Sequence, residues 1–99
     1  METNTYTFLT SYRGGTYIDQ IQAADVLAAV HLWADKAARS QDIEHLDGAV
    51  FRKAFDADIE TFPPAPIDGH PNVWCLYYFS GRKRMEVHIV KTDTATEPS

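Results

Sequence analysis

One thiol, four imidazoles and a short run of carboxylates are the side chains of this 99-residue chain best suited to chemistry on a substrate. Cys75 and His88 form the strongest pair. Each lies in a run that reads as a strand, Val73 to Phe79 and Arg84 to Val90. A two-residue loop at Gly81-Arg82 sets them directly opposite, with Cβ atoms about 4.5–5.5 Å apart. A nucleophilic cysteine also needs a lowered pKa, an orienting partner and donors for an oxyanion. Glu86 shares the face of His88 and could orient it. Mid-strand backbone has no spare N–H groups for the oxyanion, so Cys75 reads better as a small hydrophobe. No catalytic residue is assigned.

Asp56, Asp58 and Glu60 have the spacing of a calcium loop. Its sixth and twelfth places need Gly and Glu, and they hold Thr61 and Ile67. His31, His45, His70 and His88 contain no i,i+4 pair, and a single cysteine excludes both a disulfide framework and a cysteine zinc cluster. Gly14-Gly15, Gly69 and Gly81 are turn glycines without a phosphate-loop pattern. No metal or cofactor is expected. The one basic cluster is Arg82, Lys83 and Arg84, beside Tyr77 and Phe79, where a β-ribbon tip could meet nucleic acid. The formal charge of −5 repels phosphate and argues against that reading.

The elements that carry these residues follow from periodicity. Tyr6 to Tyr12 and Thr16 to Ile21 are aromatic and β-branched, and read as a hairpin with Gly14-Gly15 as a type I′ turn. That turn pairs Tyr12 with Tyr17, Phe8 with Ile21 and Tyr6 with Ala23. Tyr6, Phe8, Tyr12, Tyr17, Ile21 and Ala23 then share one face; Thr7, Ser11, Arg13, Gln20 and Gln22, with Leu9 and Ile18, share the other. Asp25 caps a helix whose apolar stripe is Val26, Ala29, Val30, Trp33, Ala34 and Ala37, with Leu27 at its edge. A polar, acidic connection from Ser40 leads to a second helix, from Asp47 or Gly48 to about Asp58, with Val50, Phe51, Ala54 and Phe55 apolar.

Residues 60–72 hold Pro63, Pro64, Pro66 and Pro71 and read as an irregular connector, neither helix nor strand. The second hairpin sets Tyr78 against Met85, Leu76 against Val87 and Trp74 against Ile89 on a wholly apolar face. Both tryptophans are expected in the core between the first helix and the sheet. The order is therefore β-β-α-α-β-β: an α+β two-layer domain, with an antiparallel four-stranded sheet from two hairpins and both helices on one face. Residues 1–91 form one domain and 92–99 a polar tail. No signal peptide or membrane-length apolar run is visible, which implies a cytoplasmic protein without membrane contact.

Phe8 to Ile18, then Trp33-Ala34, Asn72 to Cys75 and Ile89 to Thr92 resemble a family of small bacterial proteins of unassigned function. The resemblance spans most of the chain outside residues 39–70 and implies a shared fold. A hairpin feeding a helix is also loosely similar to the antitoxins of the HicB type, although their Gly-Cys segment before the helix is missing here.

The reading that follows is a non-catalytic interaction module, with the residues leaning against an enzyme without deciding the question. Its expected interface is the sheet face away from the helices: Cys75, Tyr77, Phe79 and Val90, with Leu9 and Ile18 beside them. The expected partner is a second copy on a two-fold axis, with Tyr77 and Phe79 near the centre, or another protein. Two alternatives stand beside it. One is an enzyme or small-ligand binder using the proline-rich 60–72 loop with Cys75 and His88. The other is nucleic-acid binding through Arg82, Lys83 and Arg84.

Overall fold

The computed structural model describes residues 3–40, 42–80 and 83–92, with the side chains of Phe79, Ser80 and Lys83 excepted. Strands β1 (Asn4–Tyr12) and β2 (Gly15–Ala23) form the first hairpin, and helices α1 (Val26–Ser40) and α2 (Gly48–Asp58) follow. Strands β3 (Ala65–Ile67), β4 (His70–Ser80) and β5 (Lys83–Lys91) complete one antiparallel sheet in the order β2-β1-β5-β4-β3. The class is α+β, as expected, but the sheet has five strands instead of four.

The first turn is type I′, one residue earlier than the glycine pair suggests. Arg13 (φ 50°) and Gly14 (φ 86°) take the two left-handed positions, and Tyr12 pairs with Gly15. Tyr6 therefore faces Ile21 and Phe8 faces Asp19. This register differs from the expected one by two residues, and strand side chains alternate with period two. Each face keeps its residues, so the hydrophobic pattern could not reveal the shift. The second hairpin pairs as expected: Tyr78 with Met85, Leu76 with Val87 and Trp74 with Ile89. Its loop residues Gly81 and Arg82 lie outside the described residues.

Within the proline-rich stretch, Ala65–Ile67 is strand after all, and β4 already begins at His70. The hydrogen-bond phase explains why Pro66 is tolerated. Ala65 is opposite Cys75 and Pro66 is opposite Trp74. Even-numbered β4 residues direct their backbone groups to β5, since Ser80 and Lys83 close that hairpin, so Pro66 meets a position that asks no bond of it. Its missing N–H would point away from the sheet, and an edge strand accepts that.

Helix α1 starts where the Asp25 carboxylate accepts the Ala28 N–H at 2.8 Å, and α2 where Asp47 accepts from Ala49 and Val50 at 3.0 and 3.1 Å. Both helices cover the same face of the sheet, α1 over β1 and β2, and α2 over β4. The core between the layers holds Tyr6, Phe8, Val30, Trp33, Phe51, Phe55, Leu76, Tyr78, Met85, Val87 and Ile89. Three expectations change. Trp74 is half-buried against Tyr6 and stands at the margin of the core, because β4 runs past α2 there. Val50 is 47% exposed. In the connection between the helices, Ile43 is buried and anchors an otherwise polar loop.

Candidate functional site

The sheet face away from the helices is built in cross-strand rows. The central row runs Cys75, His88, Leu9, Ile18 across β4, β5, β1 and β2, with Ala65 of β3 beyond Cys75. Val73, Val90, Thr7 and Gln20 form the row on one side, and Tyr77, Glu86, Ser11 and Thr16 the row on the other. Neither helix reaches these side chains, so their exposure is set by their neighbours alone. Ile18 is 64% and Tyr77 47% exposed, while Leu9, Val73, Cys75, His88 and Val90 are half-buried among themselves. The expected interface residues Leu9, Ile18, Cys75, Tyr77 and Val90 thus share one surface. The Phe79 side chain lies outside the described residues.

Cys75 and His88 are direct cross-strand partners, as the hairpin register requires. Tyr77 stands next to Cys75 on the same face. The Cys75 thiol, whose anion would repel a phenolate, is the main influence holding the Tyr77 hydroxyl above its ordinary pKa; slight desolvation and Glu86 add to it, and Arg84 opposes it. The Arg84 guanidinium lies 5.2 Å from the Tyr77 ring centre and 3.9 Å from the Glu86 carboxylate. Of the expected basic cluster, Arg84 is therefore engaged on the sheet face. Arg82 and the Lys83 side chain lie outside the described residues. Among the described residues, no group of three His, Cys, Asp or Glu side chains could hold a metal ion.

A groove of about 660 Å³ opens beside Cys75 and Tyr77, where β3 ends and leaves the outer edge of β4 uncovered. Phe62, Pro63, Pro64 and Pro66 form one wall, and Asp58 and Thr61 supply polar atoms at its margin. The proline-rich loop and Cys75 do come together here. His88 does not line the groove. Phe62, 66% exposed, is the residue that sequence reading passed over. An aromatic side chain next to two prolines was its signal, since such a segment cannot fold back into a helix and hide it.

No family model, curated protein or solved structure matches this chain. Among the described residues, no helix is long and apolar enough to cross a membrane.

Proposed function

We propose that the chain is a non-catalytic interaction module that presents its open sheet face to a protein partner. The supporting observation is the central row Ile18, Leu9, His88, Cys75, in which apolar side chains stand on both sides of one imidazole with no helix above them. An antiparallel sheet that leaves one face to water normally makes that face polar. Contiguous apolar surface there is a recognition feature. The groove at the β4 edge extends the surface past Tyr77 to Phe62. A photoreactive residue placed at Tyr77 should cross-link a partner in cells, and one placed at exposed Asp56 on α2 should not. Equal cross-linking from both positions would sink the reading.

The groove beside Cys75 favours one second reading, a small-ligand or thiol-based site. Thiol labelling separates the two. A catalytic Cys75 would react much faster than a free thiol at neutral pH, and a packing cysteine more slowly. Nucleic-acid binding through Arg82, Lys83 and Arg84 has less support, because Arg84 is already shared by Tyr77 and Glu86. It would require affinity that falls steeply with salt.

A further inference from the structure

The two edges of the sheet are finished differently. β3 has three residues, contains Pro66 and meets β4 with a register irregularity. Short length, proline and irregularity all blunt an edge against further pairing. β2 has nine residues and pairs with β1 without a bulge. It contains no proline and no lysine.

The hydrogen-bond phase shows which backbone groups β2 leaves over. Tyr12 and Gly15 close a two-residue hairpin and exchange both bonds. Tyr17, Asp19 and Ile21 therefore turn their N–H and C=O groups towards β1. Thr16, Ile18, Gln20 and Gln22 turn theirs outward. All four residues are exposed, and no described group bonds to their backbone.

Two aliphatic side chains flank the same edge. Ile18 is 64% exposed on the open face, and Leu32 is 51% exposed on α1. Leu32 precedes by one turn Lys36, whose ammonium reaches the Asp19 carboxylate at 2.7 Å, so it stands on the β2 side of the helix. The charges on β2 and on the facing part of α1 are paired. Asp19 is the one charged side chain of β2 and is met by Lys36, while Arg39 is held by Asp35 at 2.6 Å. The chain as a whole carries −5, and the match of Asp19 with Lys36 keeps β2 itself from adding to that repulsion.

The geometry points to a second copy of this chain on the β2 edge, paired antiparallel about a two-fold axis into one continuous sheet. Outward-facing residues must meet outward-facing residues, which places the axis at a residue of β2. An axis at Asp19 would set two carboxylates directly opposite, a destabilising arrangement. An axis at Ile18 sets Ile18 against Ile18, Thr16 against Gln20 and Tyr17 against Asp19. It also joins the central apolar row of each copy to that of the other. That axis pairs residues 15–21 of the two copies, seven residues spanning about 24 Å. Backbone hydrogen bonds along the edge, more than buried area, hold such a pairing together. This pairing takes Ile18 into the seam, leaves Cys75, Tyr77 and Val90 of the open face free, and does not rest on the function proposed for that face.

Light scattering and backbone amide exchange on the full chain test the pairing. Ile18→Pro removes one outward N–H and keeps every bond to β1; Ile18→Lys adds a charge at the axis; Tyr77→Glu alters the open face away from the edge. The wild type should be a dimer, with both Ile18 variants weakened at least about ten-fold and Tyr77→Glu unchanged. Amides of Thr16, Ile18 and Gln20 should exchange more slowly as wild-type concentration rises, and rapidly in Ile18→Lys. If Ile18→Pro does not fold, Ile18→Lys and the exchange data still decide. A wild-type monomer at its solubility limit overturns the proposal. So does a dimer whose edge amides stay unprotected, or one lost in Tyr77→Glu and kept in the Ile18 variants.

Discussion

Phe8 and Trp33 stack with ring centres 5.3 Å apart and planes only 7° from parallel. One ring comes from the first strand and the other from the helix that follows its hairpin, and both are fully buried. Phe51 of α2 meets Trp33 edge-on at 5.6 Å, so this stack joins all three parts of the core. Trp33→Ala should cost roughly 3–5 kcal/mol, enough to unfold a domain of ordinary stability. Acrylamide quenching provides the milder check. In a Trp74→Phe variant the remaining Trp33 emission should resist quenching, and in a Trp33→Phe variant half-buried Trp74 should be quenched.

The hairpin turn predicts unequal sensitivity in adjacent residues. Gly14 has φ 86° and Arg13 φ 50°, whereas Gly15 is not in the left-handed region. Gly14→Val should cost about 1–3 kcal/mol in backbone strain. Arg13→Gly should cost little, because glycine takes that conformation freely. Gly15→Ala acts differently: its new methyl would press on the Tyr17 ring, whose hydroxyl accepts the Glu44 N–H at 3.2 Å. Urea midpoints should fall most for Gly14→Val, and equal midpoints for Gly14→Val and wild type would refute the turn assignment.

Gly48 opens α2 where that helix passes α1. A side chain there would run into the backbone carbonyl of Ala38 in the last turn of α1, which yields less readily than a side chain would. Helix propensity alone says that Gly48→Ala should stabilise by up to about 1 kcal/mol. Close packing reverses the sign, and we expect a loss of about 1–3 kcal/mol by thermal or chemical denaturation.

Tyr78 lies in the core with its hydroxyl buried and, among the described residues, without a hydrogen-bond partner. Burial first, and the Asp58 carboxylate second, push its pKa well above the ordinary value of 10.0. Above that value the unfolded chain releases the proton while the folded chain keeps it. Stability therefore falls as pH rises past about 10, and below that pH the group contributes no slope. Tyr78→Phe should flatten this alkaline fall. At neutral pH it should be neutral or stabilising by up to about 1 kcal/mol, since it removes an unsatisfied buried group. A large destabilisation at neutral pH would mean the hydroxyl has a partner after all.

What the sequence determined by itself is the set of local periods and their punctuation. Alternation assigned Tyr6, Phe8 and Tyr12, and Leu76, Tyr78, Met85, Val87 and Ile89, to the core face, and all of them are buried in the structure. Asp25 marked the start of α1 because a short carboxylate before an apolar stripe can satisfy the first free N–H groups, whereas the sequence left the start of α2 at Asp47 or Gly48 and the structure makes Asp47 its cap. The face carrying Leu9, Ile18, Cys75, Tyr77 and Val90 was legible for the same reason. Which strands neighbour one another depends on packing between distant parts of the chain. Alternation is blind to a two-residue shift, so the first hairpin's register followed from Arg13 accepting a left-handed conformation. Proline content hid β3, because Pro66 breaks a strand only where its N–H is needed, and opposite Trp74 it is not. The order β2-β1-β5-β4-β3 brought Leu9 beside His88 and left β2 at an edge. Contacts between strands so distant in the chain form where the joint burial of both hairpins under two helices is greatest, and no local run of residues encodes that.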